Sequence, residues 1–517
     1  MFCFTACSRK GDKQVPIVER DTSITRANAY NDVFFDSLKL EIFLQEEGIT
    51  DTSAQHIRNF YNERNYQYAW FSEEGMGEFV PTFLAMQEDY ISYSGDSSLR
   101  DIRLQRQLDS LQHRKDFHLH DSLLLHTELL MTKQFFNYAS RAFDGKTNIN
   151  TKDLGWYIPR KKINTVAFLD SLIRNKGKDV SRYEPVNRQY NLLKNYLLKY
   201  YALQKAGSWK HVPELKVKVL RVGDSSESIA AIKSNLIWSG DLEINDSTEV
   251  FTELLKKAVI AYQLRQGLSP DGEIGPAFMR EINKPVTERI RQILINMERI
   301  RWMPADPQSD YLLVNIPEFK LHVYEAGALA FNMNVVVGST ANNTVIFSGN
   351  LKHVVFSPYW NVPNSILKNE VLPGIKRNSN YLANHNMEWH NGYVRQKPGP
   401  KNSLGLVKFL FPNSYSIYLH DTPSKSLFGE SRRAFSHGCI RLSDPKALAE
   451  FLLRKDTAWT SAKIDSAMHS GQEKYVTVRP EVPVIIGYFT AWVDRDNKIN
   501  FRPDVYGHDQ KMAEKLF

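Results

Sequence analysis

Two hydrophobic periods divide the chain. From about residue 31 to 215 apolar residues recur every three or four positions: Leu123, Leu124, Leu125, Leu129 and Leu130, then Phe135, Phe136 and Tyr138. That spacing predicts buried helix faces, and Tyr190 to Leu203 continues it. No cluster of reactive side chains falls in this stretch, so it reads as a helical scaffold. Residues 216–285 hold three shorter helical runs. Asp224 and Glu227 have the spacing of a capping box, Ile229, Ile232, Leu236 and Ile237 form a stripe, and Gly240 marks a stop. A second run carries Phe251, Leu255, Val259 and Tyr262 and ends at Gly267; after a turn-rich loop a third begins at Pro276. Ile290, Ile293, Leu294, Met297 and Ile300 predict an amphipathic linker helix within 286–310.

From Tyr311 the period falls to two. Leu312, Val314 and Ile316, then Leu321 and Val323, then Met333, Val335 and Val337 alternate, with Glu325-Ala326-Gly327 as a hairpin turn. Further strands are predicted at Val354–Phe356, Ile417–Leu419 and Val482–Ile486, so 311–495 is a β-rich domain and 496–517 a C-terminal tail. An insertion at about 361–415 carries Pro363, Pro373, Gly374, Pro398, Gly399 and Pro400. Its length suggests a lid, and Tyr381, Trp389 and Tyr393, with Trp360 before it, argue against disorder. The predicted class is multidomain α+β: a helical scaffold, a three-helix bundle and a β-rich domain with a long lid insertion.

The 517 residues are too many for one core and suggest two to four domains. Lys+Arg 66 against Asp+Glu 58 leaves +8, spread thinly; no dense basic stripe exists, which argues against nucleic acid as a partner. No run of eighteen or more apolar residues occurs that would span a membrane. Cysteine is more informative. Of three, Cys3 and Cys7 lie near the N-terminus, so Cys439 is the only thiol in the globular part and no internal disulfide can form. Thr5-Ala6-Cys7 resembles the lipobox of a bacterial lipoprotein, making residues 1–30 a tether with Cys7 as lipid anchor. The apolar stretch before it is short for a signal sequence and lacks basic residues, so an ordinary terminus is the competing reading.

The chemistry concentrates in Tyr418-Leu419-His420-Asp421-Thr422-Pro423 and Ser436-His437-Gly438-Cys439-Ile440-Arg441-Leu442. The histidine and the thiol are 439 − 420 = 19 residues apart. A strand ending at His420 would aim its imidazole, and the loop between is long enough to return Cys439 to it. A free thiol has a pKa near ~8.5, and a nearby imidazole can take its proton for acyl transfer. Gly438 leaves room for an approaching carbonyl and permits a turn that points the Gly438 and Cys439 N–H groups at an oxyanion. Arg441 is placed to brace the site or bind a carboxylate. Two histidines compete as base; His420 is preferred and His437 is given a supporting role. A zinc site of His420, His437 and Cys439 is a rival, weakened by the absence of paired short ligand spacings.

Two resemblances follow. Ala258-Val259-Ile260-Ala261-Tyr262-Gln263, Gly267-Leu268, Asp271-Gly272 and Gly275-Pro276 resemble the peptidoglycan-binding module of cell-wall enzymes. His420, a spacer and Ser-His-Gly-Cys-Ile-Arg resemble the signature of the YkuD-type L,D-transpeptidase catalytic domain. Val314-Asn315-Ile316-Pro317, Pro358-Tyr359-Trp360-Asn361-Val362-Pro363 and Tyr488-Phe489-Thr490-Ala491-Trp492-Val493 are similar to a large periplasmic subgroup; Thr344-Val345 departs from its usual Thr-Pro. The resemblance implies that Cys439, with His420, His437 and Gly438, forms a 3→3 peptidoglycan cross-link. The bond broken joins the third stem residue to D-Ala, through a thioacyl-enzyme. Arg441, Tyr418, Trp360 and Ser436 are the expected substrate-binding residues. It further implies donor and acceptor stem peptides as partners, acylation by carbapenem-type inhibitors, no metal or organic cofactor, and a periplasmic location. An L,D-carboxypeptidase using water, or a non-catalytic wall-binding protein, are the alternatives.

Overall fold

The computed structural model describes residues 16–517 apart from 51, 113–120, 147–148, 162, 181–183, 185–186, 245, 247 and 304–308. Cys3 and Cys7 lie outside the described residues, and so does the lipid-anchor expectation. The chain divides into two compact units, residues 1–147 with 161–186, and 148–160 with 187–517.

The first unit is helical. Helices Thr52–Asn62 and Ser122–Ala139 meet over Tyr61, Trp70, Phe83 and Phe135, all fully buried. Glu128, equally buried, accepts hydrogen bonds from Tyr61 Oη (2.8 Å) and the Ala69 and Trp70 amides (2.7 and 2.9 Å). Burial lifts its carboxyl to about 7, so the donors satisfy a group the core would otherwise exclude.

In the second unit, helix Arg188–Ala206, read from the sequence as the end of the scaffold, packs on helix Val286–Arg301, where Tyr190 Oη accepts from Arg301 (2.6 Å). An apolar stripe announces that a helix is buried, but not against what. The predicted linker helix is instead a packed element, burying Arg289, Asn296, Glu298 and Arg299 as well as its aliphatics. The predicted tail is folded too. Ala491–Val493 pairs with Ile499–Phe501, and helix His508–Leu516 bonds to Val286–Arg301 through Arg299–Asp509 (2.5 Å). Helices Ser228–Ser239, Glu253–Gln266 and Pro276–Ile282 form the predicted bundle around Ile229, Ile232, Leu236, Leu255, Val259, Tyr262 and Phe278. Gly240 and Gly267 end two of them in left-handed conformations (φ +78° and +71°). The capping box does not form: Asp224 accepts from the Arg221 amide in its own turn (2.7 Å).

The β-rich domain is a nine-stranded sheet. Its strands are β1 Tyr311–Asn315, β2 Lys320–Glu325, β3 Ala328–Gly338, β4 Phe347–Phe356, β5 Val407–Leu410, β6 Leu419–His420, β7 Ala434–Ser436, β8 Ile440–Leu442 and β9 Lys474–Gly487. The order is β7-β3-β8-β6-β5-β4-β9-β1-β2, and β2 also pairs with β3, so the sheet closes on itself. Val335, Leu351, Val354, Leu419, Ile440 and Leu442 fill its interior, each fully buried. The insertion is ordered, as its aromatic residues suggested. Strands Trp360–Asn361, Met387–His390 and Tyr393–Gln396 form their own sheet over a small core of Val362, Val371 and Val394. Asn402 closes it by donating to Pro358 O (3.1 Å) and Lys397 O (2.9 Å), and by Val407 the chain has rejoined the main sheet.

Candidate active site

β6 and β8 run parallel with Leu419 opposite Ile440 and His420 opposite Arg441. Side chains alternate across a strand, and laterally paired residues share a face. Leu419, Ile440 and Leu442 therefore enter the core, while His420 and Arg441 share the other face with their strand neighbours Tyr418 and Cys439. Cys439, half-buried, stands one residue before β8. Its Sγ–H donates to the Ser416 carbonyl (3.6 Å). That carbonyl is aimed by a turn in which Ser416 takes φ +55° and Asn413 Oδ1 accepts from the Tyr415 and Ile417 amides.

His420 is 4% exposed and its Nδ1 lies 2.5 Å from the Asp421 carbonyl. A carbonyl can only accept, so Nδ1 carries the proton and Nε2 keeps a lone pair. Asp421 is itself tied down by the Leu406 amide (2.8 Å) and Lys425 (2.6 Å). Gly405 is required there, because a Cβ would fall 2.3 Å from the Asp421 carboxylate. His437 goes elsewhere: it is exposed, its Nε2 3.9 Å from Glu370 of the insertion.

The loop carrying the thiol is held from both sides. Ser436 Oγ donates to the Cys439 carbonyl (2.5 Å) and accepts from the Gly438 amide (3.2 Å). Thr344 Oγ1 accepts from the Gly338 amide and donates to the Gly438 carbonyl, both at 2.8 Å. Tyr506 Oη completes the brace by donating to Gly338 O (2.6 Å).

Residues 309–479 match the model of the YkuD L,D-transpeptidase catalytic domain. The chain carries an L,D-transpeptidase catalytic domain. Residues 225–282 match the "Putative peptidoglycan binding domain" and 55–197 a scaffold domain. A "Putative L,D-transpeptidase" of Haemophilus influenzae is 33% identical over 243 residues, 43% of this chain and 49% of that protein. The match therefore spans about half the curated relative's length. Two solved L,D-transpeptidases are similar at low identity. That from Xylanimonas cellulosilytica is 13% identical, over 53% of this chain and 100% of that one, with a TM-score of 0.19. That from Mycobacterium smegmatis is 14% identical, over 35% and 58%, with a TM-score of 0.20.

Within the L,D-transpeptidase domain the electrostatics favour a neutral resting pair. Burial, then the Arg441 charge, pulls His420 down to about 4. Burial pushes the Cys439 thiol up, against the opposing pull of the Tyr418 amide and hydroxyl and of Arg441. Arg441 has no ion-pair partner among the described residues and its buried Nε has no acceptor, so its charge is free to act on the sulfur or on an incoming anion. Among the described residues no three His, Cys, Asp or Glu side chains gather into a metal-binding group, and no helix is long and apolar enough to cross a membrane.

The expected site residues thus separate. Cys439, His420, Tyr418 and Arg441 share one face, Gly438 and Ser436 shape the loop beneath, and His437 faces outward. Trp360 packs half-buried against the core of the insertion. Of the two N–H groups expected to point at an oxyanion, Gly438 N–H is bonded to Ser436, whereas the Cys439 N–H has no internal acceptor among the described residues. Thr344, Tyr506 and Asp421 were not singled out as site residues from the sequence. The first two lie 439 − 344 = 95 and 506 − 439 = 67 residues from the thiol, and no local pattern links them to it.

Because a peptide's C=O and N–H point opposite ways, Thr344 on the Gly438 carbonyl aims the Cys439 N–H. Thr344→Val is expected to slow acylation of Cys439 about ten-fold, a fraction of what losing an oxyanion donor outright removes. Alkylation by iodoacetamide, which builds no oxyanion, should stay within about two-fold, and Thr344→Ser should restore acylation. Equal losses in both reactions would show that the threonine merely holds the fold.

Proposed function

We propose that the chain is a cysteine-dependent L,D-transpeptidase that makes 3→3 cross-links between peptidoglycan stems. The observation that carries this is a half-buried thiol on the same sheet face as an imidazole whose Nε2 has its lone pair free, beside an N–H without an acceptor and a guanidinium without an ion-pair partner among the described residues. Binding alone has no use for that combination; acyl transfer uses every part.

Since the resting thiol and imidazole are both neutral, proton transfer accompanies attack rather than preceding it. Sγ bonds to the carbonyl carbon between the third stem residue and D-Ala as its proton passes to His420 Nε2. The oxygen, now negative, is held by the Cys439 N–H and faces the Arg441 charge. Collapse breaks the C–N bond, and D-Ala leaves as an amine with the proton returned by His420. The side-chain amine of a second stem then attacks the thioester, gives its proton to His420, and releases Sγ, which regains that proton. Water in place of the amine would give an L,D-carboxypeptidase. The insertion, joined to His437 through Glu370, covers the donor and limits water's access. Tyr418, Arg441 and the accessible edge of Trp360 contact the stem, and Ser436 holds the loop. Carbapenem-type inhibitors are expected to acylate the same sulfur. The substrate places the enzyme in the periplasm, with Cys7 a lipid tether.

Incubation with purified disaccharide-tetrapeptides, followed by mass analysis, tests the reaction. A dimer lighter by one D-Ala than two monomers is expected. Tripeptide without dimer would establish the carboxypeptidase, and unchanged tetrapeptide would overturn both.

A further inference from the structure

A second site lies in the same unit. A cavity of about 1860 Å³ is walled by the Gly267–Pro270 turn of the three-helix bundle, strands β1 to β3, the strap 428–433, and the Ala491–Val493/Ile499–Phe501 hairpin. Neither Cys439 nor His420 is among its lining residues. It is larger than the ~300–1,000 Å³ usual for a small ligand.

Its walls hold arginines that have no ion-pair partner among the described residues. Arg433 donates only to neutral oxygens, Glu430 O (2.7 Å), Phe319 O (3.2 Å) and Asn334 Oδ1 (3.5 Å), and its buried Nε has no acceptor. Arg502 donates to Arg265 O (2.7 Å) and Phe501 O (2.8 Å). Neither has a carboxylate at ion-pair distance among the described residues. Glu318, the acid that both feel, bonds instead to His322 (2.8 Å) and Asn315 (3.3 Å). Lys320 and Arg432 line the same cavity, again without ion pairs among the described residues. Elsewhere on the wall, Asp241 is paired with Arg265, and Asp494 and Asp504 accept from Asn500 and Tyr488; Glu430 and Asp496 also line it but are solvent-exposed, where water screens their charge.

Partly buried guanidinium groups are ordinarily paired, because desolvating them alone is unfavourable. Here the missing counter-charge fits an incoming one, and the planar fork matches a carboxylate. Trp492, stacked under Arg502 at 4.9 Å, and the Asn334 amide add the apolar face and hydrogen bonds that a peptide uses. We infer that this cavity binds a carboxylate-bearing peptide through Arg433 and Arg502, and that its ligand is a further stem of the wall polymer, outside the reacting pair. The identity of the peptide rests on the function proposed above; the anion site does not. The strap makes the position useful, since Arg433 precedes the nucleophile by only 439 − 433 = 6 residues.

The test uses the full-length chain with Cys439→Ser, so that nothing turns over, and titrates it calorimetrically with muropeptides from a wall digest. Arg433→Gln is expected to weaken binding at least five-fold, as is amidation of the muropeptide carboxylates. Arg433→Lys, which keeps the charge, should remain within about two-fold of the parent. Inorganic phosphate at 10 mM should compete weakly if the site reads peptide carboxylates. Full displacement by phosphate would overturn the peptide assignment, and binding indifferent to Arg433→Gln and to amidation would overturn the site. Neither result bears on whether the unmodified enzyme is acylated at Cys439, so the two readings fail separately.

Discussion

Cys439→Ala protein is expected to gain no mass from a carbapenem and to form no cross-linked dimer, whereas the parent gains one adduct per chain. Cross-linking should fall by at least about 10⁴-fold, as expected when a covalent nucleophile is deleted and only binding and oxyanion contacts remain. The loop should survive the change. Ser436 and Thr344 hold it through the Gly438 and Cys439 backbone, and the bonds made by Sγ reach only the adjoining segment, at the Ser416 carbonyl and Tyr418. A melting temperature within a few degrees of the parent would confirm that chemistry, not folding, was removed. Intact-mass measurement decides the point, and an adduct persisting on the alanine protein would place the nucleophile elsewhere.

His420→Ala is expected to slow acylation by about 10³-fold, within the range for a positioned general base. The pH profile carries more information than the loss. A histidine held at about 4 stays neutral and able to accept a proton far below its ordinary ~6.5. The acid limb of the parent should therefore lie near pH 4, and activity should keep rising in the alkaline range as the elevated thiol ionises. Single-turnover acylation measured from pH 3.5 to 10 tests this, and an acid limb near 6.5 would contradict it. Linkage gives the same window for stability. Between about 6.5 and 4 the unfolded chain takes up a proton that native His420 refuses, so stability is retained above 6.5 and is lost as pH falls toward 4. His508, held at about 4 by burial and then Arg299, adds to the loss over the same interval.

The candidate site was unusually legible. His420, Cys439 and Arg441 stand in two short segments, and the strand expected at Ile417–Leu419 put His420 at its end; that Cys439 and Arg441 share its face came from the pairing of β6 with β8. The separation of the histidines was partly legible as well: His420 ends a strand, where a sheet can bury and aim it, whereas His437 sits in a turn. Less of the support could be read. Thr344 and Tyr506 reach the nucleophile loop from remote segments, and Ser436, adjacent to it, serves the backbone. The fold was clearest where polarity alternates or recurs in register and weakest at boundaries. Helix Arg188–Ala206 and the segment after 496 make contacts with helix Val286–Arg301 that sequence proximity does not show.

By itself the sequence indicated the element types, the bundle, a run of strands and the candidate reactive groups. These follow from local periodicity and from residue chemistry, neither of which needs long-range information. Only the tertiary structure decided that Gly438 N–H is bonded while the Cys439 N–H has no acceptor among the described residues, that burial disfavours the charged forms of thiol and imidazole, and that two arginines line a cavity without an ion-pair partner among the described residues. Hydrogen-bond partners and desolvation depend on which distant segments come into contact, and that is a property of the packed chain.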